Sequence, residues 1–286
     1  MGERVTLFEM GPRDGLQNEA APIATADKIA LVNALSESGL SKIEVTSFVS
    51  AKWVPQLSDA AQVMAGLTRV PGISYTALTP NMKGFVSAKN AFADEIAIFG
   101  AASEAFSKAN INCSIEDSLA RFIPMMAAAK AARIPVRGYV SCITDCPYEG
   151  AVSPQRTAWV AQALFDMGCY EISLGDTIGQ ATPERLDKTL QAVLDSVPAS
   201  ALAGHYHDTN QRALENISLS LGHGIRVFDA AVGGLGGCPY APGAKGNVAT
   251  EAVAALMQSQ GFETGLDLIK LEKAAQMAKG LVHETA

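Results

Sequence analysis

No apolar run in this chain approaches the ~18 residues that would span a bilayer, and no Lys/Arg run or basic helical stripe is present. Basic residues are in deficit, 22 against 29 acidic ones, for a net charge of −7. Together these absences argue against a nucleic-acid or anionic-membrane partner. An anionic substrate must then be met by a local basic group. Cysteine is scarce and odd in number, at 113, 142, 146, 169 and 238, with no C-x-x-C pair. A disulfide framework, a zinc ribbon and thioredoxin-like chemistry are therefore not expected. The opening MGERVTLFEM lacks both the basic-then-apolar layout of a signal peptide and the Arg/Ser-rich layout of a transit peptide. The expectation is a soluble, untargeted, cytoplasmic protein. Met1-Gly2 with Thr6 matches a short acylation pattern, but Thr6 falls inside a strand-like run, so no acylation is expected. Lysine is missing where a Schiff-base aldolase would need it, since Lys42 begins its strand and most others fall on helices. Histidine is sparse too, at 205, 207, 223 and 283 only.

What the 286 residues do contain is a regular alternation of short β-rich runs with amphipathic stretches, the pattern of a parallel sheet built from βα units. Strand-like runs fall at 5–10, 42–48, 74–79, 95–100, 136–142, 171–176, 202–207 and 227–232. Eight of them predict a closed (β/α)8 TIM barrel, one catalytic domain over 1–286, rather than an open doubly wound sheet. Helix starts are marked by Ser153-Pro154, Thr182-Pro183 and the Ser114/Asp117 capping pair. Ile29, Leu31, Val32 and Leu35 form a core-facing stripe, and Gly39 is a C-terminal stop. Beyond the eighth strand come a glycine-rich loop at 233–247 and C-terminal flanking helices over about 248–282.

In such a barrel the chemistry sits at the C-terminal ends of the strands. The first strand runs into GPRDGLQNE (11–19), where Arg13-Asp14 is either a surface ion pair or part of the site. His205 and His207, two apart on the seventh strand, share one face, the barrel interior, with Tyr206 turned outward. The remaining histidines, His223 and His283, read as surface residues. The glycine-rich loop is not a dinucleotide fingerprint, because proline stands where the third glycine should be. It reads as a lid, with Cys238 either a working thiol or an incidental one. Asn247 offers an amide oxygen, or else caps the following helix. Asp14, His205, His207 and Asn247 together make an N/O donor set that suits Mg2+ or Mn2+, with zinc as runner-up. Glu44, inward on the second strand, is placed to pair with Arg13. Asp176, ending the sixth, is a further candidate.

GPRDGLQNE, IEVTSFVSAKW (43–53), NINCS (110–114), RGYVSC (137–142), CYEISLGDTIG (169–179), HYHDT (205–209) and GGLGGCPYAPGAKGN (233–247) jointly resemble the 3-hydroxy-3-methylglutaryl-CoA lyases. These are metal-dependent (β/α)8 enzymes of the superfamily named for an Asp-Arg-Glu triad. The resemblance covers about residues 4–280. It implies cleavage of the CoA thioester into acetyl-CoA and acetoacetate, with leucine breakdown and ketone-body-like metabolism both open as pathways. It implies metal ligation by Asp14, His205, His207 and Asn247, Arg13 facing the thioester oxygen, Glu44 orienting Arg13, and Cys238 as the lid cysteine. Asp176, Gln17, Arg137, Tyr139 and Thr177 are implied as residues lining the site, and Asn110 as a CoA contact. Either Asp14 or His205 serves as base. A homodimer is implied by the habit of the superfamily. A lyase for a longer acyl chain would carry the same catalytic residues. A catalytically dead barrel would be expected to have lost some of them.

Overall fold

The computed structural model describes residues 2–236 and 246–283, the side chain of His283 excepted. Eight parallel strands close into a barrel: β1 Thr6–Glu9, β2 Lys42–Ser47, β3 Ser74–Leu78, β4 Glu95–Ala101, β5 Val136–Ser141, β6 Glu171–Asp176, β7 Leu202–Tyr206 and β8 Val227–Ala230. Each strand pairs with its sequence neighbours, and β1 closes the ring on β8 with Thr6 opposite Val227. The strands are buried on both faces, which is why they read as mainly apolar runs rather than strict alternations.

Helices form the outer layer: α1 Thr25–Ser36, α2 Ala60–Gly66, α3 Met82–Asn90, α4 Glu104–Ile111, α5 Ile115–Ala132, α6 Pro154–Asp166, α7 Pro183–Leu194 and α8 Ala213–Gly222. Two more, α9 Thr250–Ser259 and α10 Leu268–His283, follow the eighth strand. The expected punctuation is present. Ser114, Ser153 and Thr182 each accept a backbone N–H three residues on, and Pro154 and Pro183 open their helices. Such caps contribute ~1 kcal/mol apiece. Leu31, Val32 and Leu35 of α1 pack fully buried against the barrel, with Ile29 at the margin. A short hairpin pairing Asp145–Cys146 with Gly150–Ala151 beyond β5 was not foreseen. Strands of two residues carry too little pattern to be read from sequence.

The barrel has two interiors of different character. Between strands and helices lies a continuous apolar core. Inside the barrel, Phe8, Met10, Leu78, Ala97 and Tyr139 make only a small apolar cluster. Other inward positions hold Glu44, Arg137, Ser173, His205 and Asp229, all buried. A register shift between Glu44 and Thr46 marks a bulge in β2, the strand that carries Glu44. Bulges re-aim side chains near active sites. Among the described residues, no helix is long and apolar enough to cross a membrane.

Candidate active site

The chain leaves β1 through a widened turn. The N–H groups of Asp14 and Gly15 both reach the Met10 carbonyl, at 2.8 and 3.2 Å, and that of Leu16 reaches Gly11 at 3.1 Å. Bonds spanning five residues are rare and frequent at functional sites. This turn sets Arg13 and Asp14 side by side over the barrel mouth. Gly11 is required there, since a Cβ would lie 2.7 Å from the Glu9 carboxylate. That carboxylate accepts from the N–H of Gly11 (2.7 Å), the N–H of Val232 (2.8 Å) and the hydroxyl of Thr250 (2.7 Å). One buried acid thus ties the Arg13-Asp14 turn to the start of the glycine-rich loop and to α9.

β7 supplies His205 and His207, with ring centroids 5.5 Å apart. Both face inward, while the Tyr206 hydroxyl bonds Ser220 on α8 at 2.8 Å, in the helix layer. Asp14, His205 and His207 each offer a ligand atom, all lying within 4.8 Å of one another. His205 Nε2 stands 3.8 Å from Asp14 Oδ2. The far end of the glycine-rich loop is pinned alongside: Asn247 bridges to His207, and the Asp208 N–H donates to the Gly246 carbonyl at 2.6 Å. Asn247 does not cap α9, whose N-cap position is Ala249. Its Nδ2 donates to Asp14 Oδ2 at 2.8 Å and to the Leu235 carbonyl at 3.2 Å.

Arg13 is buried between two acids. Its Nε donates to Glu44 and its Nη1 to Asp14. The surface-pair alternative is thereby excluded, because Arg13 is only 6% exposed. Glu44 also accepts the Tyr139 hydroxyl proton at 3.1 Å, and the Tyr139 oxygen accepts Arg137 Nη1 at 2.9 Å. Arg137 clasps Asp229, whose Oδ2 lies 3.1 Å from His205 Nδ1. The contacts close on themselves: Arg137, Asp229, His205, Asp14, Arg13, Glu44, Tyr139 and Arg137 again.

Burial alone would push the Asp14 carboxyl up, but Arg13 and the two imidazoles hold it well below the usual carboxylate range. It is a carboxylate at any ordinary pH. Burial and the neighbouring His205 push His207 down to about 4, so its ring is neutral. Burial would lower His205 as well, but Asp229 and Asp14 lift it above the ordinary value. Burial pushes Glu44 up in spite of Arg13.

The other expected site residues are spread over several places. Gln17 belongs to the cluster, donating to Asp14 at 3.1 Å. Asp176 and Thr177 stand at the end of β6 and organise its loop. Asp176 accepts the N–H groups of Gln180 and Ala181, and burial pushes it up to about 6. Thr177 accepts the Cys142 N–H at 2.8 Å, tying the ends of β5 and β6 together. Arg137 lies below the mouth, its guanidinium committed to Glu171, Asp229 and Tyr139. Asn110 is exposed on α4 and is not joined to the Asp14–His205 cluster. Cys238 lies outside the described residues. Lys42, beginning β2, is taken up by Glu95 and Tyr170. His223 is a half-buried residue bonded to Asp187.

Glu9, Glu171, Ser173 and Asp229 were not singled out from sequence. Asp229 carried a signal nonetheless, being an acid inside the apolar run VFDAAV.

The group fits a divalent cation. It joins one carboxylate to two imidazoles with no thiolate, a set suited to hard or borderline ions. His207 Nδ1 is moreover buried with no hydrogen-bond partner among the described residues. Such orphaned nitrogens are costly unless something fills their lone pair.

Comparison with known proteins agrees with this reading. The HMGL-like family model matches residues 4–278. The chain is 57% identical over 269 residues to the mitochondrial hydroxymethylglutaryl-CoA lyase of Gallus gallus, covering 94% of this chain and 90% of that protein. It is 55% identical over 274 residues to a 3-hydroxy-3-isohexenylglutaryl-CoA/hydroxy-methylglutaryl-CoA lyase of Pseudomonas aeruginosa, covering 96% and 91%. Among solved structures, the HMG-CoA lyase of Brucella melitensis superposes with a TM-score of 0.97 at 57% identity, over 98% of this chain and 99% of that one. Barrel, motif spacing and relatives concur, and the chain belongs to the HMGL-like family.

Proposed function

We propose that this protein is a divalent-cation-dependent carbon–carbon lyase that cleaves 3-hydroxy-3-methylglutaryl-CoA to acetyl-CoA and acetoacetate. The observation that carries the reading is the Asp14–His205–His207 group with a buried arginine beside it. The relatives named above support the substrate.

Breaking the C2–C3 bond requires a proton to leave the tertiary hydroxyl and an electron pair to move onto the thioester as an enolate. A bound Mg2+ or Mn2+, held by Asp14, His205 and His207 with Asn247 completing the set, would supply Lewis acidity toward the hydroxyl. In this structure Asn247 approaches Asp14 through its amide nitrogen, so ligation by its oxygen needs the amide turned over. Asp14 or His205 takes the hydroxyl proton. Arg13, positioned by Glu44, stabilises the developing enolate oxygen by charge-assisted hydrogen bonds. Cys238, in the glycine-rich lid 233–247, returns a proton to carbon. Gln17, Tyr139 and Thr177 lie around the reacting end, and a CoA contact at Asn110 remains part of the proposal. A homodimer working in the cytoplasm completes it.

The decisive experiment strips the purified protein of metal, restores Mg2+ or Mn2+, and follows acetyl-CoA and acetoacetate together. Equal appearance of both, abolished by chelator, is the expected result. A second reading, a longer acyl chain as substrate, is favoured by the isohexenylglutaryl activity in the name of the Pseudomonas relative. Turnover of that thioester alone would select it, and no product from either would sink the lyase reading.

A further inference from the structure

We propose that Asp229 is a positioning residue whose carboxylate, gripped by Arg137 and Ser173, fixes the His205 ring with its Nδ1–H turned inward, leaving Nε2 as a free lone pair toward Asp14. The inference rests on the reading of His205 as a cation ligand made above.

A neutral imidazole ligates only through the nitrogen that lacks a proton, and the hydrogen bond made by the other nitrogen decides which one that is. His205 Nδ1 meets Asp229 Oδ2 at 3.1 Å, whereas Nε2 faces Asp14 across 3.8 Å. An ionised carboxylate only accepts, so it stabilises the tautomer with the proton on Nδ1. Asp229 itself has no freedom to turn. Its Oδ1 takes Arg137 Nη2 at 2.8 Å, and its Oδ2 takes Arg137 Nη1 at 2.9 Å and the Ser173 hydroxyl at 2.8 Å. Arg137 is held in turn by Glu171 through Nε at 2.7 Å and lies 4.4 Å over the Phe8 ring. β5, β6 and β8 thus converge on one imidazole of β7. Arg137, expected to line the substrate, is 1% exposed and acts from beneath.

Asparagine at 229 keeps the shape but cannot satisfy both neighbours. With its oxygen toward His205, its NH2 group faces the Arg137 donors. Turned over, its NH2 group faces Nδ1 and drives the ring proton onto Nε2, removing the ligating lone pair. The test is Mn2+ binding to the full chain, read from the electron paramagnetic resonance signal of the free ion, with folding followed by circular dichroism. Asp229→Asn is expected to weaken binding roughly 10- to 100-fold, the usual loss for an outer partner of a ligating histidine. Glu171→Gln, which loosens the same arginine without touching His205, is expected to lower thermal stability and to weaken Mn2+ binding by much less than Asp229→Asn does. A folded Asp229→Asn protein that binds Mn2+ like wild type overturns the inference, and so does an equal loss in Glu171→Gln. If Asp229→Asn does not fold, the Mg2+-saturated wild type carrying 15N-histidine decides, with signals assigned by substituting the other histidines. A proton on Nδ1 of His205 supports the inference, and one on Nε2 overturns it. Wild-type protein that binds no Mn2+ overturns both this inference and the cation reading, whereas normal wild-type binding with an unaffected variant overturns this inference alone.

Discussion

Replacing Glu44 by glutamine perturbs one atom and one charge at the centre of the site. Glu44 is fully buried on β2 and accepts from Arg13 Nε and from Tyr139. Glutamine keeps one acceptor oxygen for Arg13 but turns an NH2 group toward the Tyr139 hydroxyl. Tyr139 must then accept from it and send its own proton elsewhere, and Met10 Sδ at 3.5 Å is the available acceptor. Arg13 retains Asp14 as its only counter-charge. Removing one member of a buried pair outright costs about 3–5 kcal/mol. A hydrogen bond to a charged group contributes about 1.5–3 kcal/mol. Because the isostere keeps half the contact and is spared the burial of a charge, the expected loss is about 1–3 kcal/mol. For a domain near this size that is a fall in Tm of roughly 2–4 °C per kcal/mol.

The effect on turnover should be larger than stability alone suggests. If Arg13 stabilises the enolate, its guanidinium must sit where that oxygen develops, and an aim lost by ~1 Å can cost ~10²-fold. The expectation is a drop of about two orders of magnitude in kcat, with Mn2+ affinity unchanged since Asp14 and both imidazoles remain. Thermal denaturation and the two-product assay measure the two arms separately. Wild-type kcat accompanied by the expected fall in Tm would confine Glu44 to a structural role. A variant unchanged in both would refute the argument from the buried pair altogether.

Three further outcomes are expected. Burial pushes Glu9 up to about 7 from an ordinary 4.5, so the folded chain binds a proton there more tightly than the unfolded one. Its contribution to stability is therefore fully present below pH 4.5 and declines as pH rises through about 7, by about 3 kcal/mol in all. The difference in unfolding free energy between wild type and Glu9→Gln, measured in urea across this range, should shift by that amount, and a pH-independent difference would remove Glu9 as the cause. Gly236 has φ +92°, and a Cβ there would lie 2.9 Å from Asn247 Nδ2 and 3.2 Å from Gly15 Cα. Gly236→Ala should destabilise by more than ~1 kcal/mol and lower activity, whereas Gly222→Ala, with open space around it, should do neither; matched melting curves and turnover for the two would contradict this. Cys238→Ala should lower turnover by ~10²–10⁴ while leaving metal binding intact, and unchanged turnover would take the cysteine out of the mechanism.

The eight strands and the mouth-side residues were legible because two regularities act locally. The alternation of strand and helix is written in periodicity, and in this architecture a polar residue at a strand's C-terminal end has few scaffold roles to play. Arg13, Asp14 and His205 are legible on those grounds, Glu44 as an inward acid able to pair with Arg13 and Asn247 as an amide at the far end of the glycine-rich loop, and the structure brings the five within one contact network. What stayed hidden depends on partners far apart in sequence. Arg137 and Asp229 are 92 residues apart, and neither half of a buried ion pair declares which charge will meet it. The family resemblance implies Arg137 as a residue lining the site, and resemblance does not say whether an arginine faces substrate or supports a ligand from below, as this one does near the start of its strand. The distinction is one of depth. Asp229 faces His205 on the adjoining strand and Ser173 one strand farther on, a level beneath the Arg13-Asp14 turn. At that depth a lone charge would be intolerable, so an acid inside an apolar strand implies a cation opposite it. Read that way, VFDAAV and VRGYVSC point to one another. The inner layer of such a barrel could be inferred by asking, for each buried charge, which strand supplies its counterpart.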